Sequence, residues 1–97
     1  MDFSFHPDAE AELNHAIDYY EARVKGLGVD FANTAFSSME TILAHPEIWP
    51  ILENEVRRCL LPRFPYGILY TVKPTEIFIL SVMHLRKEPF YWRERLK

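Results

Sequence analysis

The C-terminal stretch HLRKEPFYWRERLK, residues 84–97, combines two kinds of side chain that recognise macromolecules. It carries five Lys or Arg residues around three consecutive aromatic residues, Phe90, Tyr91 and Trp92. Guanidinium groups bind phosphates bidentately, and planar rings stack on bases. The segment therefore suits RNA or another polyanion. The alternative is that the rings cap a sheet while the charged groups stay in water.

Further cationic side chains in the second half of the chain extend this candidate surface. Arg57 and Arg58 fall in a predicted strand, and Arg63 follows in the turn after it. His84 ends the last predicted strand, where the basic segment begins. The predicted binding surface comprises Arg57, Arg58, Arg63, Tyr66, His84, Arg86, Lys87, Tyr91, Trp92 and Arg93, with Arg95 in the same tail.

Charge is divided unevenly along the 97 residues, whose net charge is −3. Residues 1–55 carry eleven acidic and two basic residues, whereas residues 56–97 carry three acidic and nine basic ones. Such a split indicates an acidic macromolecular partner or nucleic acid on the basic side, unless the two halves neutralise each other in the fold. The acidic residues of the first predicted helix have the spacing of a solvated face; they are Glu10, Glu12, Asp18 and Glu21.

Composition and missing motifs exclude several classes of protein. With 48% hydrophobic and 14% aromatic residues, a single domain over residues 1–97 can bury a core without disulfides or metals. No glycine-rich phosphate loop, GxSxG, CxxC or HExxH motif is present, and the four histidines lack metal-binding spacing. We therefore expect no cofactor and no metal ion. The one cysteine, Cys59, is interpreted as a buried strand residue.

The sequence also bears on location. The longest apolar stretch, around residues 77–83, is far shorter than the roughly 20 residues of a membrane-spanning helix. The acidic N-terminus lacks the basic and apolar regions of a secretory signal. We therefore expect a cytoplasmic protein with no membrane partner.

Residues 2–44 predict a strand followed by two helices. Residues 2–6 alternate, and Pro7 suits the first position of a helix. Apolar residues at helical spacing form one stripe at Leu13, Ala16, Ile17, Tyr20 and Val24 and a second at Phe31, Ala32, Ala35, Phe36, Met39, Ile42 and Leu43. Gly26 and Gly28 are predicted to close the first helix, so that the two helices form an antiparallel hairpin. The second should end near Ala44, because Pro46 disfavours helical angles in the residue before it.

The second half predicts sheet. Residues 45–55 contain two prolines and no period, which is typical of a connecting loop. The runs VRRCLL, YGILYTV and EIFILSVMH are rich in β-branched and aromatic residues and predict three successive strands. Both faces of the last strand are apolar, which is typical of a central strand covered on both sides. Alternation places Phe78, Leu80 and Val82 on one face and Ile77, Ile79 and Met83 on the other.

The order of these segments, together with RFPYGILY (residues 63–70) and HLRKEPFYWRER (residues 84–95), resembles the RelE/ParE superfamily of toxins from bacterial type II toxin–antitoxin modules, which includes plasmid stabilisation proteins. The resemblance implies an α+β domain in which an N-terminal strand precedes a two-helix antiparallel hairpin packed on a mainly antiparallel twisted sheet. The order is β-α-α-β-β-β with a short C-terminal helical segment, and periodicity predicts the same order. The resemblance also implies a cognate antitoxin, a DNA-binding protein whose arm wraps the toxin, so that DNA would be contacted only through the antitoxin.

Two branches of the superfamily imply different activities. RelE-like members cleave messenger RNA at the ribosome, and this resemblance would assign Arg58, Arg86 and Tyr91 to catalysis, with Lys87 as an alternative to Arg86. Leu60 and Gly67 replace charged residues of that branch, and removing even one transition-state donor lowers a rate by about a hundredfold to a thousandfold. ParE-like members inhibit DNA gyrase by binding it, and the FPYxIxY and PxYW features fit them better. The sequence thus favours an inhibitory binding toxin over an enzyme; the alternatives are an mRNA endoribonuclease and an inactive homologue that only binds its antitoxin.

Overall fold

The structure is a computed structural model that describes residues 2–96. The elements in chain order are β1 (Asp2–Phe5), α1 (Pro7–Arg23), α2 (Leu27–Ala44), β2 (Ile51–Glu53), β3 (Val56–Leu60), β4 (Tyr66–Val72), β5 (Glu76–His84) and a C-terminal 3-10 helix, η1 (Tyr91–Leu96). The predicted α+β class and the order of its elements are confirmed. The short strand β2 is an addition to the prediction.

The five strands form one sheet in the order β1-β5-β4-β3-β2. β1 runs parallel to β5, and the other neighbouring pairs are antiparallel. Both helices pack on one face of the sheet, and the opposite face is called the outer face below. Within residues 2–96, no helix has the length and apolar character needed to cross a bilayer.

The junction between α1 and α2 differs from the prediction at Gly28. Gly26 adopts a left-handed conformation with φ 89° and precedes α2, whereas Gly28 lies in the first turn of α2 and does not close α1. A Cβ atom on Gly28 would lie 2.5 Å from the carbonyl oxygen of Ile17, so glycine allows the two helices to approach closely. The Glu21 carboxylate accepts hydrogen bonds from the amides of Gly26 (2.8 Å) and Gly28 (3.0 Å), groups that have no partner within the helix.

A tight hairpin replaces the end of the predicted loop over residues 45–55. Asn54 and Glu55 have φ values of 47° and 64° and connect β2 to β3. Two successive residues with positive φ form the turn that matches the twist of a two-residue hairpin. The prediction of an irregular loop was wrong for Ile51–Glu53. Three residues beside a proline are too few to show the alternation of apolar and polar residues that predicts a strand.

A bulge in β5 changes which residues face the helices. Ile79 lies opposite Tyr70 and Ser81 lies opposite Leu69, so Leu80 is an extra residue in β5. Val82 consequently packs in the core under the helices with Ile77 and Ile79, and Met83 packs on the outer face. The prediction was wrong for Val82 and Met83, since strict alternation fails beyond an inserted residue.

The sheet has a core on each face. The larger core lies between the sheet and the two helices and includes Phe31, Met39, Ile42, Ile68 and Tyr70. On the outer face, Trp92 is 1% exposed and packs with Val56, Leu69, Leu80 and Met83. This contact confirms that the C-terminal aromatic segment covers the second face of the central strand.

Candidate macromolecular-binding site

Side chains complete the edge of β5 beyond the end of β1. β1 pairs with β5 only from Glu76 to Ile79. Further along, the Val82 amide donates a hydrogen bond to Glu12 Oε1 (3.0 Å), and Arg95 Nη1 donates to the Leu80 carbonyl (3.1 Å). The interpretation of Glu12 as part of a solvated helix face was therefore wrong, because its carboxylate takes the place of a missing strand.

Glu12 is also the acceptor at the centre of a side-chain network. Arg95 donates to both carboxylate oxygens at 2.8 and 3.1 Å, Ser81 Oγ donates to Oε1 at 3.0 Å, and the Tyr91 hydroxyl donates to Oε2. Burial acts to raise the pKa of Glu12, but the hydrogen bonds from Arg95, Tyr91 and the Val82 amide outweigh it and hold the pKa below its ordinary value. The carboxylate is therefore charged at neutral pH.

The lowered pKa of Glu12 predicts a pH-dependent loss of stability. Its contribution is present above the carboxyl's unfolded pKa, about 4.3, and is lost as pH falls through the lower folded pKa. We expect the free energy of unfolding to fall more between about pH 5 and pH 3 in the wild type than in Glu12→Gln, which lacks the titrating group. Urea denaturation across this range measures the difference, and parallel profiles for the two proteins would contradict the assignment.

The Tyr91 hydroxyl is committed to this network. Burial and the hydrogen bond to the Glu12 carboxylate raise the pKa of Tyr91 to about 12. The Arg95 guanidinium also lies over its ring, 5.0 Å from the centroid. At neutral pH this phenol is a hydrogen-bond donor to Glu12 and is unsuited to act as a general base.

A small basic pocket lies on the outer face of the sheet. It has a volume of about 110 Å³, and its lining includes Arg58, Lys87 and Trp92. Arg58 is half-buried, and within residues 2–96 its guanidinium has no hydrogen-bond or ion-pair partner. A Cβ on Gly67 would lie 3.1 Å from Arg58 Cγ, so this glycine leaves room for the arginine stem. A partly desolvated cation without a partner favours an incoming anionic group.

A longer groove runs beside α1 and is called the α1 groove. Two adjoining pockets of about 330 and 400 Å³ form it and share His15, Tyr66 and His84. Residues at intervals of four along α1 line one wall: Ala11, His15, Tyr19 and Arg23. They cover about 18 Å of helix. Lys87 and Tyr91 line the opposite wall. The groove is therefore lined by aromatic and aliphatic side chains, with Glu12 and Lys87 in one of its two pockets and Arg23 in the other.

The structure brings some predicted site residues together and separates others. The α1 groove joins Tyr66, His84, Lys87 and Tyr91, and the outer-face pocket joins Arg58, Lys87 and Trp92. Arg86 is exposed in the turn after β5, and its amide donates to His84 Nδ1 at 3.0 Å.

Three of the predicted arginines lie elsewhere. Arg57 points to the helical side and donates to the carbonyls of Glu47 (3.1 Å) and Trp49 (2.6 Å). Arg63 lies 3.7 Å from Asp30, and Arg93 donates to the Glu53 carboxylate at 2.6 and 2.8 Å. The expected single basic flank is consequently divided between several sides of the molecule.

Sequence reasoning missed the α1 contribution to these sites. His15 and Tyr19 were not predicted as site residues, and Glu12 was assigned to solvent. The available signal was the four-residue spacing of Ala11, His15 and Tyr19, which puts them on one side of a helix. Among the described residues, no group of three His, Cys, Asp or Glu could hold a metal ion.

Comparison with known proteins shows the family to which this chain belongs. Residues 3–89 match the family described as ParE toxin of type II toxin-antitoxin system, parDE. A solved structure described as the chromosomal ParDE TA system from P. aeruginosa is similar in fold, with a TM-score of 0.62 and 24% sequence identity over 87% of this chain and 95% of that chain. No curated protein matches the sequence.

Proposed function

Since this chain belongs to the ParE toxin family of type II toxin–antitoxin systems, we propose that residues 1–97 are a single toxin domain that inhibits growth by binding a cellular target in the cytoplasm. The proposed target is DNA gyrase. A cognate antitoxin neutralises the toxin and forms a hetero-oligomer with it, and any contact with DNA occurs through the antitoxin.

The observation that best supports a binding mechanism is the hydrogen bond of the Tyr91 hydroxyl to Glu12, together with its raised pKa. In a ribonuclease of the RelE type this position would assist proton transfer, whereas here the phenol donates to Glu12 and its pKa is raised to about 12. Leu60 and Gly67 are uncharged and therefore add no second cation near Arg58. These features favour recognition of a macromolecule over cleavage of a phosphodiester.

The outer-face pocket supports an acidic partner. Arg58 has no counter-ion within residues 2–96, and the Lys87 ammonium lies over the ring of Tyr91, 5.2 Å from its centroid. A carboxylate from a partner can be held bidentately by the Arg58 guanidinium, which increases both affinity and geometric specificity. The structure of similar fold is described as a ParDE system, in agreement with an antitoxin as one such partner.

A specific observation also favours one alternative. Arg58 and Lys87 line the same small pocket, and two cations of this kind also suit a phosphate group. An mRNA endoribonuclease that acts on the ribosome would bind a phosphate of its substrate in this pocket. Its catalytic residues would be Arg58, Arg86 and Tyr91. A homologue without toxicity, which only binds its antitoxin, is the third possibility.

Controlled expression in bacteria tests these alternatives. We expect the wild-type chain without antitoxin to stop growth, to impair gyrase-dependent supercoiling and to leave transcripts intact. Arg58→Ala should weaken binding to target or antitoxin by about 10- to 100-fold, because a hydrogen bond to a charged group contributes about 1.5–3 kcal/mol. Arg63→Ala, which removes an exposed cation on the opposite side, is the matched control and should bind normally.

The contrary outcomes are distinct. Transcript cleavage on ribosomes that requires Arg58 and Tyr91 would establish the ribonuclease. Normal growth with unimpaired antitoxin binding would establish the inactive homologue. Equal effects of Arg58→Ala and Arg63→Ala would remove the outer-face pocket from the proposal.

A further inference from the structure

The loop between α2 and β2 is held in place by donors from the sheet. Arg57 Nη1 donates to the carbonyls of Glu47 (3.1 Å) and Trp49 (2.6 Å), and the Tyr70 hydroxyl donates to the carbonyl of Pro46 (2.8 Å). Three fixed carbonyls within four residues restrain a segment that has no regular structure of its own. Trp49 is therefore presented by a preorganised loop.

Trp49 forms one wall of a pocket of about 370 Å³ at the margin of the helical layer. Ser38 and Thr41 of α2 form a second wall, and the third is formed by Cys59, Leu60, Leu61 and Pro62. The lining is mainly apolar, and the volume is in the range of ligand-binding pockets. Burial raises the pKa of the Cys59 thiol to about 11, so the thiol stays protonated and contributes no nucleophile.

One polar atom of Trp49 lacks a partner. Trp49 Nε1 is buried and has no hydrogen-bond acceptor within the described residues 2–96. Buried indole N–H groups usually find an acceptor, and an unsatisfied donor costs about 1–3 kcal/mol. The cation beside the loop, Arg57, does not attract an anionic ligand here, since it is bound to loop carbonyls. The chemistry therefore suits a neutral acceptor accompanied by apolar surface.

The adjoining strand edge points to a polypeptide as the source of that acceptor. β2 pairs with β3 only at Val56 and Arg57, so the edge of β3 from Arg58 to Leu60 has no neighbouring strand in the described chain. An open strand edge next to pockets is the arrangement that binds extended peptides by strand addition. Leu60, 44% exposed, lies two residues from Arg58 on the same face of β3 and connects the pocket with the outer-face site.

We propose that the Trp49 pocket is an anchor site for an extended segment of the antitoxin: an apolar side chain of that segment fills the pocket, and a main-chain carbonyl accepts the hydrogen bond from Trp49 Nε1. The same segment passes along the edge of β3 and presents an acidic side chain to Arg58. This inference rests on the proposed function in that it takes the antitoxin as the partner.

The two tryptophans provide the test. In ¹⁵N-labelled toxin, the indole N–H signals of Trp49 and Trp92 are followed while unlabelled antitoxin, the product of the neighbouring gene, is added. The Trp49 signal should shift and become protected from hydrogen exchange. The Trp92 ring lines the outer-face pocket beside Arg58, so its signal reports separately whether the same segment reaches that pocket.

Trp49→Phe separates recognition from structure. It keeps an aromatic wall and removes the unpaired donor. Relief of the unsatisfied N–H, about 1–3 kcal/mol, offsets the packing that the smaller ring loses against the larger core, so the free toxin should be about as stable as the wild type. Its affinity for the antitoxin should fall by about 5- to 50-fold, since the partner carbonyl loses its donor. If Trp49 had a structural role alone, Trp49→Phe would lower the stability of the free toxin and would not combine retained stability with reduced affinity. Ile48→Ala, at a 60% exposed position beside it, should change neither quantity.

The results that overturn the inference are separable from failure of the proposed function. If no complex forms with the antitoxin, both are overturned. If a complex forms while the Trp49 signal and the affinity of Trp49→Phe remain unchanged, the antitoxin is a partner that binds elsewhere. The anchor site alone is then rejected.

Discussion

Replacing Trp92 with alanine is expected to lower the free energy of unfolding by about 3–5 kcal/mol. Trp92 is 1% exposed and is the largest side chain in the outer-face core with Val56, Leu69, Leu80 and Met83. Its removal leaves a cavity that the flanking strands cannot close, because their positions are set by the sheet. For a domain of this size the midpoint of thermal unfolding should fall by about 12–40 °C, which calorimetry measures directly.

The matched control for Trp92→Ala is Phe36→Ala. Phe36 is also aromatic, but it is 44% exposed on α2, where alanine is a good helix former. We expect its effect to stay within about 1 kcal/mol. Truncation after Lys87 removes Trp92 together with the 3-10 helix and should destabilise the protein at least as much as Trp92→Ala. A truncated protein of wild-type stability would show that the tail is dispensable for the fold.

Replacing Glu12 with alanine should have the second-largest effect, a loss of about 2–4 kcal/mol in the free energy of unfolding. Removing one partner of a fully buried ion pair costs about 3–5 kcal/mol, and the side chains of Glu12 and Arg95 retain 22% and 12% exposure, which moderates the loss. The variant removes the carboxylate that accepts from the Arg95 guanidinium, the Tyr91 hydroxyl and the Val82 amide. Denaturant unfolding measures the change.

A double-mutant cycle with Arg95→Ala isolates the pair. If the two residues act through each other, the double variant should lose clearly less stability than the sum of the single losses. Glu10→Ala is the control, since Glu10 is an exposed carboxylate two residues away on the same helix. Additive single effects, or equal losses from Glu10→Ala and Glu12→Ala, would show that Glu12 does not organise the edge of β5.

The stability predictions also bear on the proposed function. The network at Glu12 holds Tyr91 and the 3-10 helix, and these in turn border both the α1 groove and the outer-face pocket. A loss of toxicity in Glu12→Ala or Trp92→Ala is therefore expected from unfolding alone. Arg58→Ala and Trp49→Phe are the informative variants for binding, because neither residue is among the buried members of the two cores, and Trp49→Phe keeps an aromatic ring where Trp49 packs against the larger core.

Local patterns in the sequence were sufficient for most of the fold. Pro7 marks the start of α1, Pro46 requires α2 to end just before it, and β-branched runs identify β3, β4 and β5. These signals depend on backbone angles and on periodic burial, which neighbouring residues determine. A central strand with two apolar faces also required a cover on its second face, which the C-terminal rings or a second chain could supply; the structure shows Trp92 there.

The tertiary structure alone decided the details that form the sites. The bulge at Leu80 exchanged the faces of Val82 and Met83, and the early end of β1 gave Glu12 an acceptor role that a helical charge pattern does not reveal. The pleat of β3 separates two adjacent arginines, because Arg57 and Arg58 point to opposite faces of the strand. Sequence determines which elements form through short-range interactions. Which side chains meet depends on register and on contacts between residues far apart in the chain, such as Glu12 with Arg95.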